Sequence, residues 1–524
     1  MSGIRSSGFG HRARRRDRLV QVLPPLTIAT LCAVPAHAAE WVPSLRIDGR
    51  ATLTDNYRLA PEGREEAELV LQATPVLGLR REGARAYARV DYAPSLYVYT
   101  TNLGDSYTRH RLNSLLNVEA VENFFFVEST LRIEDSFFSP FDPGTWDDVA
   151  DVDNRLQNIS FSLSPYIQGR LGGYRYFVRN DNYWTTTDRS SLPGQFDQRL
   201  HARLDSPDYR RWSWSANYDY RRAEYENSPS FYEQEARLIG YYRVNPDLSV
   251  NARVGYETND YTIDGYSGSI YGGGIDWTPT PRTLVSGYAE HRFFGTGYYA
   301  NLSHRRRLTS WRLRASRDTR TYRDQVFTVP AGDTRELLDA VFSARIPDPI
   351  EREQAVEDFL ISSALPATLD GPLTFYTNRV YLSERVDATA GLFGVRNALT
   401  FTLFYRDNEP VSELQDDNPV PEVFTIANRL EQWGGVVAFS HNLTVRTAVT
   451  ASVRRTYSIS TEPVVAGFTD IDSTEDVYRL TLNNQLGPRT SAVAGLRWVD
   501  FDTERPNSSY QERAVFVGIS HRFF

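Results

Sequence analysis

Residues 210–222 read RRWSWSANYDYRR, and Trp212, Trp214, Ala216, Tyr218 and Tyr220 fall at every second position. Arg211, Ser213, Ser215, Asn217, Asp219 and Arg221 fill the positions between them. Successive side chains of a strand point to opposite faces, so this segment is a strand with one apolar and one charged face. The alternation recurs along the chain. Leu45, Ile47, Ala51 and Leu53 oppose Arg46, Asp48, Arg50 and Thr52, and Ala86, Ala88, Val90 and Tyr92 oppose Arg85, Arg89 and Asp91. Val127, Leu131 and Ile133 oppose Glu128, Thr130, Arg132 and Glu134, and Val250, Ala252, Val254 and Tyr256 oppose Asn251, Arg253 and Glu257. Every apolar face needs a neighbour other than water.

A stacked sandwich would supply one, and so would lipid around a closed barrel. The connections decide between them. Short turns such as Glu82-Gly83, Asn245-Pro246-Asp247 and Gly487-Pro488 take turns with longer polar stretches at 59–66, 100–108, 136–153, 180–195, 408–425, 460–474 and 502–510. Tight periplasmic turns and long outer loops are the pattern of an outer-membrane barrel. The spacing predicts an all-β, transmembrane antiparallel barrel of about 22 strands, within a range of about 20 to 24. Arg46, Arg50, Arg85, Arg89, Asp91, Arg132, Glu134, Arg211, Asp219, Arg221, Arg237 and Arg253 are then expected to line its lumen. Most should pair with one another along a wet wall. Their guanidinium groups could also grip the carboxylates of anionic sugar chains, with Tyr87 and Tyr97 stacking on sugar rings.

Composition agrees. No apolar run reaches the 18 or more residues of a spanning helix, mean hydropathy is −0.46, and aromatic residues make up 13%. Residues 1–38 read as a signal peptide: an arginine-rich start, an apolar middle and Ala36-His37-Ala38 as the cleavage site. Residues 39–524 would form the barrel. The single cysteine, Cys32, lies in that signal, so the mature chain can form neither disulfides nor thiolate metal sites. Removing six arginines and one aspartate with the signal leaves 52 basic and 65 acidic residues, a net charge of −13, which disfavours nucleic acid as a partner. At the other end, Val515, Val517, Ile519, His521 and Phe523 alternate up to the terminal Phe524. This resembles the signal read by the outer-membrane insertion machinery, with Phe523 rather than Phe524 in phase.

One stretch breaks the period. Within a long loop at 324–372, helices are expected at about 334–345 and 349–363. Asp333 and Glu336 form a capping box before the first, and Asp348, Pro349 and Glu351 open the second. Leu337, Leu338, Val341 and Phe342 give one apolar stripe, and Val356, Phe359 and Leu360 the other. The hairpin is expected either to fold inward as a plug or constriction, or to cover the mouth as a lid. The two helices could also bury each other above the rim. Wide barrels tend to be filled, which favours the inward fold.

Thr54-Asp55-Asn56, the Arg81-Glu82-Gly83-Ala84 turn and Ile346-Pro347-Asp348-Pro349, in that order, resemble one family: the PEP-CTERM system-associated outer-membrane proteins of exopolysaccharide loci. The resemblance spans the mature chain. It implies the outer membrane of a Gram-negative cell and a role in moving or anchoring extracellular polysaccharide. It supplies no catalytic residues.

No cofactor, metal or catalytic motif is found. Six histidines remain after the signal, His110, His201, His291, His304, His441 and His521, scattered over different strands. The acid-rich stretches 147–153, 414–419 and 470–476 lack the spacing of a Ca²⁺ loop and read as solvated loops or divalent bridges to lipopolysaccharide. The expected partners are outer-membrane lipid, lipopolysaccharide and the insertion machinery. Anionic polysaccharide and export-system proteins are further candidates. The reading is a porin-like channel or accessory in polysaccharide export. A non-conducting scaffold for a surface or periplasmic complex is the alternative, and an outer-membrane enzyme ranks third.

Overall fold

Twenty-two strands join edge to edge in one antiparallel sheet. The computed structural model describes residues 41–524 apart from 138, 145–148, 151, 190, 191, 193, 208–210, 227–229, 263, 322, 325–332, 344, 364, 366–378, 413–428 and 462–470. Residues 1–38, expected to be a signal peptide, and the acidic run 414–419 therefore lie outside the described residues.

The strands are β1 (Trp41–Thr54), β2 (Glu68–Glu82), β3 (Ala86–Tyr99), β4 (Tyr107–Val121), β5 (Phe125–Phe137), β6 (Arg155–Leu171), β7 (Tyr174–Thr187) and β8 (Gln195–Asp205). Then come β9 (Trp212–Tyr225), β10 (Phe231–Asn245), β11 (Leu248–Asn259), β12 (Tyr266–Thr280), β13 (Thr283–Arg292), β14 (Gly295–Arg305) and β15 (Thr309–Arg320). Two helices follow, α1 (Thr334–Phe342) and α2 (Pro349–Ser363). The chain ends with β16 (Tyr381–Phe393), β17 (Asn397–Pro410), β18 (Arg429–Asn442), β19 (Thr447–Thr461), β20 (Ile471–Gly487), β21 (Thr490–Thr503) and β22 (Tyr510–Arg522).

Each strand pairs with the next, and β22 returns to β1 with Arg50 opposite Gly518 and Thr54 opposite Ala514. Beyond that ladder, the Phe523 N–H bonds the Leu45 carbonyl at 2.8 Å and the Leu45 N–H bonds the Phe524 carbonyl at 3.3 Å. The sheet is closed, so no strand edge is left for lipid to face.

The two faces separate as the alternation predicts. On β22, Val517 is 54% exposed while its neighbour Phe516 is 5% exposed. Leu53, Trp212, Val254, Tyr271, Trp311, Leu403 and Trp498 are likewise exposed on the outer face. An apolar belt all around the molecule far exceeds the few hundred Å² a protein leaves to water, so it is covered by lipid.

An even strand count brings both ends of the sheet to one rim, the periplasmic one, and connections there are short. Two differ from the expected asymmetry. The periplasmic turn 206–211 is longer than its neighbours, and on the outer side only Phe293 and Phe294 join β13 to β14. Gly295, at φ +95°, completes that tight hairpin with a backbone conformation open to glycine. The run 470–476 is not a loop as expected. From Ile471 it is strand, because Ser473 and Glu475 are buried on the inner face while the backbone pairs with β19 and β21.

Strands spaced about 4.8 Å apart and tilted about 40° would make a round barrel about 44 Å across. The cross-section is not round. The outer ends of β10 and β15, five strands apart, meet where the Thr319 hydroxyl donates to Glu233 at 3.3 Å. Glycine permits the tight curl. A Cβ on Gly272 would run into the Ala289 carbonyl, and one on Gly255 into that of Ala236.

Candidate functional site in the lumen

The inner face is built from a repeated local unit. An arginine and an acid two residues apart share one face of a strand and reach each other. Arg46 pairs with Asp48 at 3.0 Å, Arg89 with Asp91 at 2.6 Å and Arg179 with Asp181 at 2.7 Å. Arg203 pairs with Asp205 at 2.8 Å and Arg385 with Asp387 at 2.7 Å. The unit is visible in the sequence as R-x-D, but alternation alone does not single it out.

Ten of the twelve expected lumen residues lie on strand inner faces. Arg50 covers the Phe516 ring at 4.1 Å, and Arg253 covers that of Tyr288 at 3.6 Å. Arg132 and Glu134 sit opposite the buried Ser160 and Asn158 of β6. Asp219 meets His201 Nδ1 at 2.6 Å, and Arg237 meets Glu290 at 2.8 Å. Arg221 meets Asp324 at 2.7 Å. Two expectations fail. Arg85 lies in the turn after β2 and pairs with Glu122 in the next turn, and Arg211 lies in the bend before β9. Both have the correct parity, but the backbone has already left the sheet.

The corner between β10 and β15 holds a larger assembly. Arg292, 2% exposed, lies 2.6 Å from Glu257, 3.1 Å from Glu233 and 3.3 Å from Asp318, and it also pairs with Glu235. Tyr261 donates to Glu233 at 2.8 Å. Glu233, Glu235 and Glu257 bring one carboxylate oxygen each within 4.8 Å of one another, close enough for a metal ion. Arg292 bonds all three and fills that role as a fixed cation. The sequence places Glu257 on a charged face but not with the other three, since only the curl brings three strands together.

The helical insert lies inside the barrel, against the periplasmic half of β15 to β19. Asp333 caps α1 by accepting from the Arg335 and Glu336 amides. Glu336 pairs with Arg314 at 2.8 Å and with Arg312. The far end of α1 reaches Arg305, at the periplasmic end of β14, whose Nη1 donates to Ser343 Oγ at 2.7 Å. The helix ends at Phe342, three residues before the expected 345, because the Arg345 and Ile346 amides both turn back onto the Phe342 carbonyl. Leu337, Leu338, Val341, Val356 and Leu360 are buried in one cluster with Phe393, Ala398, Val436 and Ala438 of the wall. Phe342 and Phe359 pack against that cluster, with their rings edge to face at 5.8 Å. Thr450 donates to the Ser363 carbonyl at 3.2 Å and anchors the end of α2 to β19. The wall under the hairpin carries Ala398, Thr400, Thr402, Val436, Ala438 and Thr450 in place of charges.

Two further segments narrow the lumen. After β15 the chain turns inward, and Asp324 lies 2.6 Å from Arg199 and 2.7 Å from Arg221, on β8 and β9. Burial alone would raise the Asp324 carboxyl, but Arg221, Arg323 and Arg320 outweigh it and hold it below the usual range. At the outer mouth, the loop between β5 and β6 crosses to the far side. Phe137 and Phe141 join Leu430 of β18, Ser473 donates to the Pro140 carbonyl at 3.0 Å, and Tyr510 donates to that of Gly144 at 3.1 Å. Asn154 braces the loop through the Ser139 and Asp142 carbonyls at 2.8 and 3.0 Å.

At the C-terminus, Ile519 is 53% exposed on the outer face, and His521 bonds Thr490 at 2.8 Å and meets the Phe523 ring edge to face. Among the described residues, His201 and Asp219 are the histidine and acid in hydrogen-bond contact, and no serine joins them.

Together, the outward apolar belt, the closed sheet and the ionised lumen define an outer-membrane β-barrel of porin-like build. No family model matches the chain, and no curated protein matches it. Several solved structures are similar to it. The siderophore receptor PirA from Acinetobacter baumannii is 8% identical, with a TM-score of 0.48, covering 92% of this chain and 80% of that one. OpdK from Pseudomonas aeruginosa, solved with vanillate, is 11% identical, with a TM-score of 0.35, covering 92% and 99%. The ferric enterobactin receptor PfeA, also from Pseudomonas aeruginosa, is 8% identical, with a TM-score of 0.45, covering 91% and 80%. At such identities the likeness is one of fold.

Proposed function

We propose that the protein is a porin-like channel, or an accessory barrel, for anionic carbohydrate in extracellular polysaccharide export. The supporting observation is an ion-paired inner wall onto which a folded hairpin has been laid. A closed wall of 22 strands encloses more space than two helices each about 10 to 12 Å wide can fill, so the hairpin narrows a wet space rather than replacing it with a core. The arginines along that wall suit carboxylate-bearing sugars. The polysaccharide assignment comes from the family resemblance and stands or falls with it.

Purified protein in planar bilayers should raise ion conductance, and a chain lacking 333–365 should raise it further. An absence of conductance in both would contradict the channel. The second reading, a non-conducting scaffold, draws support from the loop across the outer mouth. It predicts a partner that crosslinks to the periplasmic turns, and a clean monomer in every crosslinking trial counts against it.

A further inference from the structure

Just outward of the hairpin, the pairing rule of the lumen wall is broken. Arg385 on β16 lies directly opposite Arg406 on β17 and, on its other side, opposite Ser316 of β15. Arg320 extends its Nη2 to Ser316 Oγ at 3.5 Å, which brings a third guanidinium beside the other two. Like charges set directly opposite each other across strands cost stability. Asp387 binds Arg385 at 2.7 Å, and Arg320 lies toward Asp324. The inner-face positions flanking Arg406 are Phe404 and Asn408, so Arg406 has no acid two residues away. Its Nε is buried without a hydrogen-bond partner, and among the described residues its guanidinium makes no ion pair. Gln432, opposite it on β18, points its amide instead to Ser458 at 3.1 Å.

We infer that Arg320, Arg385 and Arg406 form an oxyanion subsite on the lumen wall, with Arg406 as its open ligand-binding arm. The fork of a guanidinium matches two oxygens of a carboxylate or a phosphate, and a bound anion supplies the partner that Arg406 lacks among the described residues. The preferred solute carries such a group on a small polar body, as sugar acids and sugar phosphates do. The subsite lies immediately before the constriction made by α1 and α2. An anion held there is concentrated at the approach to that constriction. The inference deepens the channel reading by giving the lumen a selected charge.

Binding can be measured apart from conduction. The full mature barrel in detergent micelles is titrated calorimetrically with glucuronate, glucose 6-phosphate and uncharged glucose. Saturable binding of at least one of the two anions, with none of glucose, is expected, and the better anion identifies the group preferred. Arg406→Gln should weaken it about tenfold or more, the loss expected for one charged hydrogen-bonded contact. Asn408→Asp leaves Arg406 in place and restores the two-residue pairing found elsewhere on the wall. It should weaken anion binding to a similar degree, and it serves if Arg406→Gln does not fold. Equal binding by the wild type and Asn408→Asp, equal affinity for glucose, or no saturable binding to the wild type would overturn the subsite. Binding without conductance would instead overturn the channel and leave the subsite standing.

Discussion

Arg292, itself buried, has several carboxylates around its guanidinium, of which Glu233 and Glu257 are buried and Asp318 is half-exposed. Buried ion groups contribute little net stability over apolar packing, but removing one partner strands the others. Arg292→Gln should therefore cost about 3–5 kcal/mol, read as a lower midpoint of heat-induced unfolding in detergent. An unchanged midpoint would mean that the corner is wet. Asp324 makes the opposite kind of test, because it ties the insert to Arg199 and Arg221. Its carboxyl is held below the usual range, so the tie is at full strength above the unfolded value and is lost as pH falls through the lower, folded one. Conductance should stay flat from neutral pH down to about pH 4 and rise below it. Asp324→Asn should show the raised level at neutral pH. A rise already at pH 6 would place the sensitivity elsewhere. Little of this was legible in the sequence. Parity puts Arg221 and Arg237 on the inner face, but Arg292 and Asp324 acquire their partners from strands and loops distant in the chain.

At the scale of elements, the strands were far easier to read than the connections. A strand carries its period in its own residues, and Trp212 to Tyr220 would alternate in any barrel. A loop's course depends on what it meets. The reach of Phe141, Pro140 and Gly144 to β18, β20 and β22 rests on Leu430, Ser473 and Tyr510, whose positions in the chain say nothing of their meeting. The helices were legible from Asp333, Pro349 and their apolar stripes, and their docking site leaves a trace in the sequence as well. Ala398, Thr400, Thr402, Val436, Ala438 and Thr450 occupy inner-face positions where other strands carry arginines and acids. A strand apolar or small on both faces is one covered on both sides. Leu338, fully buried between the hairpin and that wall, tests the docking. Leu338→Asp should cost the contact about 3 kcal/mol or more and free the insert. Conductance should then approach that of the chain lacking 333–365 while the sheet's melting is unchanged. Wild-type conductance in this variant would mean that the hairpin does not narrow the path.

For the whole molecule, one division organises everything else: apolar side chains face a bilayer and ionised ones face an interior that water reaches. The R-x-D units, the hairpin and the mouth-crossing loop all presuppose it. The only cysteine, Cys32, precedes the strands, so in a chain beginning at residue 39 single cysteines placed in the barrel report without background. The most direct measurement introduces Val517→Cys and, separately, Arg89→Cys, then treats barrels in lipid vesicles with a charged thiol reagent and with a lipid-soluble one. The account predicts that Cys at 89 reacts with the charged reagent and that Cys at 517 reacts only with the lipid-soluble one. The reverse pattern, or ready labelling of position 517 by the charged reagent, would contradict it.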